Sequence, residues 1–472
     1  VGGCLALKTE LQNNFNRHKI LVFFVGIIFI ILSQILSQYS NEFILKNIFI
    51  LIMPFLQACN KKEEVGGAAN SCDNYQEDTS SISSNSISLY TVTQKVQNRP
   101  TIPVFYPWSG TGTGIYGTCG DGNNNVWFDC DNETTPYSLL WTSKGRPSNV
   151  ETLNININDD QKKLMTEDNN TLYLISDQWH YYSSVWSSLS TCSKFYLNEV
   201  FKEHEGSEYD RNYMINIQHP DWPELLAKKA QVYKNQGFDG ILFDWWHNYA
   251  GNCKHNVCVR SPAEVEVVRE AIAKKIRSQV GDNFIIMGNV NWNINDPAAK
   301  YMSGAFLELW KQPTESYPVD NQSSTMSIEA MEGVLKYWDN NLMSPKIVAF
   351  EPWKITVDTS NPFDDRSNDN NTKYAKLYTA MGLVIPENGY ILYADNNPDW
   401  SGGDHQHHYF DFWKTDFGKP VDNMTTVKAG VGYKNFEKGF VAYNRTSASA
   451  TFDLDNGTQI TLGALEGLFL SK

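Results

Sequence analysis

The chain has 472 residues, and its 39 Lys and Arg against 53 Asp and Glu give a net charge of −14. Hydrophobic residues make up 41% and charged residues 19%, so most of the chain can bury a core, divided over two or three domains. An acidic surface repels phosphate backbones, which argues against nucleic acid as a partner. The 14 Trp and 24 Tyr suit either a large core or a surface that stacks sugar rings.

A short apolar run, residues 48–56, follows Lys46 and ends just before Ala58 and Cys59. A basic residue, an apolar core and a small residue are typical of an export signal. The segment resembles a bacterial lipoprotein signal. That resemblance implies that Cys59 is lipidated and that the protein is anchored in the bacterial cell envelope, at the outer membrane or the cell surface. The alternative is that a longer apolar stretch, residues 20–36, is a membrane anchor.

Residues 1–58 are therefore assigned to a signal and upstream segment. Residues 59–100, rich in Ser, Asn, Glu and Gly, are assigned to a flexible tether. Export places the remaining cysteines in an oxidising compartment, where disulfides persist. The close pairs in loop-like sequence are the best disulfide candidates: Cys253 with Cys258, and Cys119 with Cys130.

Residues 101–415 alternate between strand and helix signals. Short, nearly continuous apolar runs indicate strands that are covered on both faces. These runs are residues 102–106, 172–176, 213–217, 240–244, 284–288, 304–309, 346–351 and 390–394. Helical spacing covers residues 222–236, 262–280, 328–340 and 372–384. The alternation predicts a (β/α)₈ TIM barrel, with a long insertion over residues 109–158 between its first two strands.

The last section, residues 416–472, has few helix signals. Residues 439–444, 448–453 and 458–462 alternate or run apolar, and Asn456-Gly457 suits a two-residue hairpin turn. This pattern predicts a C-terminal antiparallel β domain.

Acidic residues end or follow several of the predicted barrel strands, where the working residues of such a barrel lie. They are Asp177, Asp244, Glu308, Glu351 and Asp395. Burying a carboxylate at that position costs free energy unless it is paired with a cation or takes part in catalysis. A single such carboxylate forms a structural salt bridge as readily as it catalyses. The first four each stand one or two residues from a Trp. Paired carboxylates beside stacked sugar rings are what glycoside hydrolysis needs.

The segment Gly-Phe-Asp-Gly-Ile-Leu-Phe-Asp-Trp-Trp, residues 237–246, resembles the fourth-strand motif of bacterial glycosyl-hydrolase-like barrels, loosely related to the α-galactosidase and α-amylase superfamily. Residues 216–222 and 304–308 are similar to the same pattern. The resemblance implies a glycoside hydrolase in which Asp244 is the nucleophile or base. It assigns the general acid to Glu308, because Asn289 stands where a fifth-strand carboxylate would be. In another large group of barrels the seventh-strand Glu is the nucleophile, which keeps Glu351 as an alternative catalytic residue. The acid must stay protonated, so we expect Glu308 in the drier of the two sites.

Other side chains near the predicted strand ends are candidate substrate contacts, with about half of the tryptophans expected in the core. They are Asp177, Trp179, His219, Trp245, Trp246, Asn289, Trp310, Trp353, Asp395 and His405. His405 belongs to Asp-His-Gln-His-His, residues 404–408, which reads either as a metal site or as a polar substrate loop. One short loop rarely supplies the geometry of a metal site, so we predict no metal and no cofactor.

Two other functions stay open. A glycan-binding surface lipoprotein without catalysis would keep the tryptophans and need no carboxylate pair. A metal-dependent hydrolase would use the loop at residues 405–408. In the favoured prediction the partner is a poly- or oligosaccharide, and the protein meets the membrane only through the lipid on Cys59. The sequence predicts nothing about the oligomeric state.

Lipidation of Cys59 is testable by fractionation of cells that express the protein. We expect Cys59→Ser to release the protein from the membrane fraction with an unchanged melting temperature, because the lipid and not the fold holds it there. Retention of Cys59→Ser in the membrane fraction would instead favour residues 20–36 as the anchor.

Overall fold

The structure is a computed structural model. It describes residues 88–109, 137–142, 163, 165–183, 201–202, 212–215, 217–247, 261–309, 327–352, 368–394, 409–454 and 457–471. The described helices are α1 Val92–Asn98, α2 Asp221–Asn235, α3 Pro262–Val280, α4 Ile328–Asn341 and α5 Asp369–Val384.

The described strands fall into a barrel sheet and smaller antiparallel sheets. In chain order they are β1 Phe105–Ser109, β2 Leu139–Thr142, β3 Leu172–Gln178, β4 Tyr181–Ser183, β5 Phe201–Lys202, β6 Asn212–Ile215, β7 Gly240–Asp244, β8 Ile285–Asn289, β9 Gly304–Leu309, β10 Ile347–Pro352, β11 Asn388–Ile391, β12 Thr425–Lys428, β13 Val431–Phe436, β14 Gly439–Asn444, β15 Ala450–Asp453, β16 Gln459–Leu462 and β17 Glu466–Ser471.

The barrel sheet has eight strands in the order β1-β2-β3-β7-β8-β9-β10-β11, and each neighbouring pair is parallel. A parallel bridge between Val104 and Ile391 joins the last strand to the first. In the same place the Ile391 amide donates to the Pro103 carbonyl at 2.9 Å. Eight parallel strands closed in this way form the predicted (β/α)₈ barrel.

The predicted set of barrel strands needs two corrections, one strand that was missed and one that lies elsewhere. Strand β2 lies within the stretch predicted as an insertion, and it is the second strand of the barrel. The run at residues 213–217, predicted as the third barrel strand, instead contributes β6, which pairs antiparallel with β4 and β5. Asp177 therefore lies in the third barrel strand rather than following the second, while Asp244 still ends the fourth.

Aromatic rings fill the barrel interior. Phe105 of β1 stacks on Trp141 of β2 with the ring centroids 5.3 Å apart. Phe306 of β9 meets Trp141 at 4.8 Å and Phe105 at 5.7 Å. Strands β1 and β9 are not neighbours in the sheet, so these rings pack across the interior and the barrel is a packed core.

Helix α1 corrects the end of the predicted tether. Thr91 caps this helix, and its side chain forms a reciprocal capping box with Gln94. Lys95 is fully buried, and its Nζ lies 2.8 Å from Asp239 Oδ2 and 3.2 Å from the Met165 carbonyl. Asp239 immediately precedes β7, so α1 is tied to the N-terminal end of the barrel, opposite the strand ends that carry the candidate site.

The C-terminal part of the described chain is an antiparallel β domain, as predicted. Strands β12, β13, β14 and β17 form one sheet, and β15 pairs with β16. The sheet packs on helix α5 through β14 and β17. Gly467 of β17 allows this approach, because a Cβ there would lie 2.2 Å from the Lys376 carbonyl oxygen of α5. Strands β12, β13 and β17 were not predicted.

None of the helices in the described ranges is long and apolar enough to cross a membrane.

We expect Lys95→Met to destabilise the fold by about 3–5 kcal/mol, because it leaves the carboxylate of Asp239 buried without its cation. Chemical denaturation measures the loss. Lys373→Met is the matched control, since Lys373 is exposed on α5 and its change should cost little. Equal effects of the two substitutions would contradict a structural role for the buried pair.

Candidate active site

The alternation of side chains along a strand decides which strand-end residues face the barrel mouth. In β3, Gln178 Nε2 donates to Asp244 Oδ2 at 3.2 Å, so Gln178 faces the interior. Asp177 points the other way: it forms a salt bridge with Lys229 of α2, and the Tyr233 hydroxyl donates to it at 3.2 Å. The prediction that Asp177 contacts substrate is therefore wrong, and this carboxylate ties β3 to helix α2.

Asp244 ends β7 at the barrel mouth and is 5% exposed. It accepts from Gln178 on Oδ2, and on Oδ1 from the Trp245 amide at 2.9 Å and from Asn289 Nδ2 at 3.2 Å. Three donors from three directions fix the orientation of this carboxyl group.

Asn289, at the end of β8, joins two of the predicted catalytic residues. The same Nδ2 that donates to Asp244 also donates to Glu308 Oε2 at 2.7 Å. The two acceptor oxygens therefore lie no more than about 5.9 Å apart. Asp244 is buried whereas Glu308 is partly exposed, so the expectation that Glu308 occupies the drier site is wrong.

Glu351 of β10 completes a group of three carboxylates. Its Cα is the register partner of Glu308 on the neighbouring parallel strand, so the two side chains leave the sheet on the same face. Glu351 is fully buried. The three predicted catalytic carboxylates therefore come together at one end of the barrel.

Two amide side chains that donate to these carboxylates have oxygens without a hydrogen-bond partner within the described part of the chain. They belong to Gln178 and Asn289. Asn289 is only 4% exposed, so its Oδ1 is an acceptor shielded from bulk water. Gln178 was not among the predicted site residues, although the two-residue period of a strand makes it the alternative to Asp177 as the side chain that faces the interior.

Two of the candidate tryptophans belong to the core. Trp179 and Trp246 are fully buried and meet edge to face at 5.4 Å. Arg269 of α3 lies 5.9 Å from one ring and 6.0 Å from the other, and it pairs with Asp296 at 3.2 Å. Gly288 leaves room for the Trp246 ring, which a Cβ would meet at 2.6 Å. The predicted sugar-stacking role of these two rings is therefore wrong.

Trp245 is different, because its side chain is partly exposed beside Asp244. Its backbone has φ of +57°, a strained value for a bulky residue. Its carbonyl accepts from Trp179 Nε1 at 2.9 Å and from the His247 amide at 2.9 Å. The rings of Trp245 and His247 lie 5.5 Å apart, and burial lowers the pKa of His247 to about 3, which keeps it neutral. Trp245 stays a candidate substrate contact.

His219 makes a contact at the entry to helix α2, and its contact with substrate stays a prediction. It precedes α2, where its Nδ1 accepts from the Asp221 amide at 3.2 Å. Its side chain lines a groove of about 480 Å³ between the first turns of α2 and the first half of α3, together with residues such as Pro223 and Val267.

Several predicted site residues lie outside the described residues, and their assignments stay predictions. They are Trp310, Trp353, Asp395, His405, Cys59, Cys119, Cys130, Cys253 and Cys258. Within the described ranges, no group of three or more His, Cys, Asp or Glu side chains is arranged to hold a metal ion.

Some solved structures resemble the chain. The cyclic alpha-maltosyl-(1→6)-maltose hydrolase from Arthrobacter globiformis, in its ligand-free form, is 11% identical, with a TM-score of 0.43 over 79% of this chain and 99% of that chain. Amy13B of Eubacterium rectale is 13% identical, with a TM-score of 0.46 over 80% of this chain and 98% of its own. The type III pullulan hydrolase from Thermococcus kodakarensis is 11% identical, with a TM-score of 0.40 over 81% and 80%.

No protein-family model matches the sequence, and no curated protein matches it.

The structural role of Asp177 predicts a loss of stability without a loss of chemistry. Asp177→Asn should destabilise the fold by about 3–5 kcal/mol, because Lys229 is buried and loses its anion. Its kcat, measured where the variant is still folded, should stay within about twofold of the wild type. Asp411→Asn is the matched control, since the Asp411–Lys414 pair is exposed and should contribute little. A stable but inactive Asp177→Asn would return Asp177 to the active site.

Proposed function

We propose that the protein is a retaining glycoside hydrolase that cleaves a poly- or oligosaccharide at the C-terminal mouth of the barrel. The observation that carries the proposal is the shared amide nitrogen of Asn289, which lies 3.2 Å from Asp244 Oδ1 and 2.7 Å from Glu308 Oε2 and so keeps these oxygens within about 5.9 Å of each other. Carboxyl groups about 5–5.5 Å apart act by retention, whereas inverting enzymes need about 6.5–9.5 Å to admit a water.

Asp244 is the nucleophile in this mechanism. It is buried and held by three donors, so one oxygen is aimed at the reacting carbon without reorganisation in the transition state. It attacks the anomeric carbon as the glycosidic C–O bond breaks, and a covalent glycosyl-enzyme forms.

Glu308 is the acid and then the base. Two like charges this close repel, so the pair works with one proton between them. We assign that proton to Glu308, because Asp244 already accepts from three donors. Glu308 gives this proton to the leaving oxygen. In the second step it takes a proton from the water that attacks the anomeric carbon, which releases Asp244 and restores the original configuration. Its partial exposure suits this step, because water must reach it.

The carboxylate pair also weighs against the first rival function. A protein that only binds glycans needs aromatic and polar contacts but no paired carboxylates at this spacing. The second rival, a metal-dependent hydrolase, depends on the loop at residues 405–408, which lies outside the described residues.

The location in the cell follows from the signal-like segment and is likewise our proposal. The enzyme would be located at the bacterial cell envelope and would cleave glycans there. The lipid on Cys59 would anchor it, and the segment that follows Cys59 would connect the anchor to the barrel.

Substitution of each carboxylate tests the roles. We expect Asp244→Asn and Glu308→Gln each to lower kcat/KM on a natural glycan by at least about 10³-fold, with melting temperatures near that of the wild type. Since the acid chiefly assists the leaving group, Glu308→Gln should retain more activity on a 2,4-dinitrophenyl glycoside than on the glycan, and Asp244→Asn should not.

Glu351→Gln is the comparison that decides the assignment of the acid. If Glu308→Gln is near wild type while Glu351→Gln is inactive, Glu351 is the second catalytic carboxylate. The stereochemistry is measured by NMR on the first anomer released. Release of the inverted anomer would refute retention.

A further inference from the structure

The residue that follows the proposed nucleophile has a backbone conformation that its side chain disfavours. Trp245 has φ of +57°, a value that glycine and asparagine adopt far more readily than a bulky residue does. In this conformation its amide donates to Asp244 Oδ1 at 2.9 Å. Rotation about φ would turn that amide relative to the rest of the turn. The hydrogen bond to Asp244 therefore depends on contacts that hold Trp245 in the strained conformation.

The carbonyl of Trp245 makes two such contacts. It accepts from the His247 amide at 2.9 Å and from Trp179 Nε1 at 2.9 Å. The bond from His247 lies within the same turn. Trp179 instead follows strand β3, so its indole ties the turn to a second segment of the barrel.

The indole of Trp179 is itself held in place. The residue is fully buried, and its ring meets Trp246 edge to face at 5.4 Å. Its carbonyl accepts from Nε1 of Trp222, in helix α2, at 2.8 Å. A side chain packed in this way cannot follow the turn if the turn relaxes. Its N–H is therefore a fixed point to which the Trp245 carbonyl is bound.

We propose that Trp179 is a positioning residue for the hydrolysis: its indole N–H holds Trp245 in the left-handed conformation that directs the Trp245 amide at Asp244. The inference rests on the proposed function, in which Asp244 is the nucleophile. Trp179 acts only through the backbone of Trp245, because its own ring is fully buried. Without the indole N–H the nucleophile is misaligned with the anomeric carbon, while the surfaces that bind the rest of the glycan are unchanged.

Trp179→Phe removes the indole N–H and keeps an aromatic ring in the core. We expect kcat/KM to fall at least about tenfold, through kcat rather than KM, because alignment for attack is lost and ground-state binding is not. The fall should be equal on a natural glycan and on a 2,4-dinitrophenyl glycoside, since the nucleophile and not the acid is affected. A fall confined to the glycan would place the effect on the acid and overturn the proposal.

Trp413→Phe is the matched control. Trp413 is also buried, and its Nε1 donates to Thr379 Oγ1 of helix α5 at 3.0 Å. The control loses an indole hydrogen bond of the same kind, so its melting temperature should fall by a similar amount while kcat stays within about twofold of the wild type. Equal losses of kcat in the two variants would show a general effect of a weakened core and refute a positioning role for Trp179.

Trp245→Gly tests whether Trp179 acts through the backbone of Trp245. Glycine adopts a positive φ without steric cost, so the turn then depends less on the indole. The loss of kcat caused by Trp179→Phe should be at least about fivefold smaller in the Trp245→Gly background than in the wild type. The same loss in both backgrounds would contradict the proposed route.

Crystal structures of the variants separate this inference from the proposed function, because they need no turnover. In Trp179→Phe the Trp245 amide should move beyond about 3.5 Å from Asp244 Oδ1, and adding Trp245→Gly should restore the contact. An unchanged turn in Trp179→Phe would refute the inference even if the wild type is an active hydrolase. A released turn in a chain that hydrolyses no glycoside would support the role of the indole and reject the proposed function.

A second variant covers the case in which Trp179→Phe does not fold. Benzothienylalanine incorporated at position 179 keeps the bicyclic ring and replaces only the N–H by sulfur. The same losses and the same rescue are expected, and wild-type kinetics with an unchanged turn would overturn the proposal.

Discussion

Carboxylates at the ends of buried strands lose water and carry the same charge, so they stay together only where donors lie between them. The barrel meets this constraint in two ways. At Asp239 and Asp177 the donor is a buried lysine, and the result is a structural ion pair. At Asp244 the donors that the structure describes are two side-chain amides and a backbone amide, which are neutral. These three donors fix the orientation of the carboxyl group.

The sequence was sufficient to predict which carboxylates lie at the barrel mouth. Asp244, Glu308 and Glu351 each close a nearly continuous apolar run, and such runs meet at one end of a parallel barrel. The sequence of β3 shows that alternate side chains face opposite sides of the sheet, but it does not show which of them face the barrel interior. Nothing local in Ser-Asp-Gln indicates that Asp177 faces helix α2 while Gln178 faces the interior. That choice is made by Lys229, more than fifty residues along the chain.

The errors in the strand assignment have a similar origin. Strand β2 has four residues, too few to show a period, and its pairing with β1 and β3 is long-range. The run that contains β6 is apolar enough to resemble a barrel strand, yet it pairs antiparallel with β4 and β5. An apolar run predicts a strand, whereas the partner of that strand depends on the whole fold.

The tryptophans show how core packing can serve a site without touching a ligand. Trp245 holds a left-handed backbone conformation that costs on the order of 1–3 kcal/mol for a bulky residue. Such strain persists only where the surroundings over-determine it. Here the Trp245 amide donates to Asp244, and its carbonyl accepts from the indole of Trp179. Trp179 is in turn held against Trp246 and Arg269. Trp179 and Trp246 were predicted to stack sugars. Instead, their buried rings maintain the turn that sets the direction of Asp244.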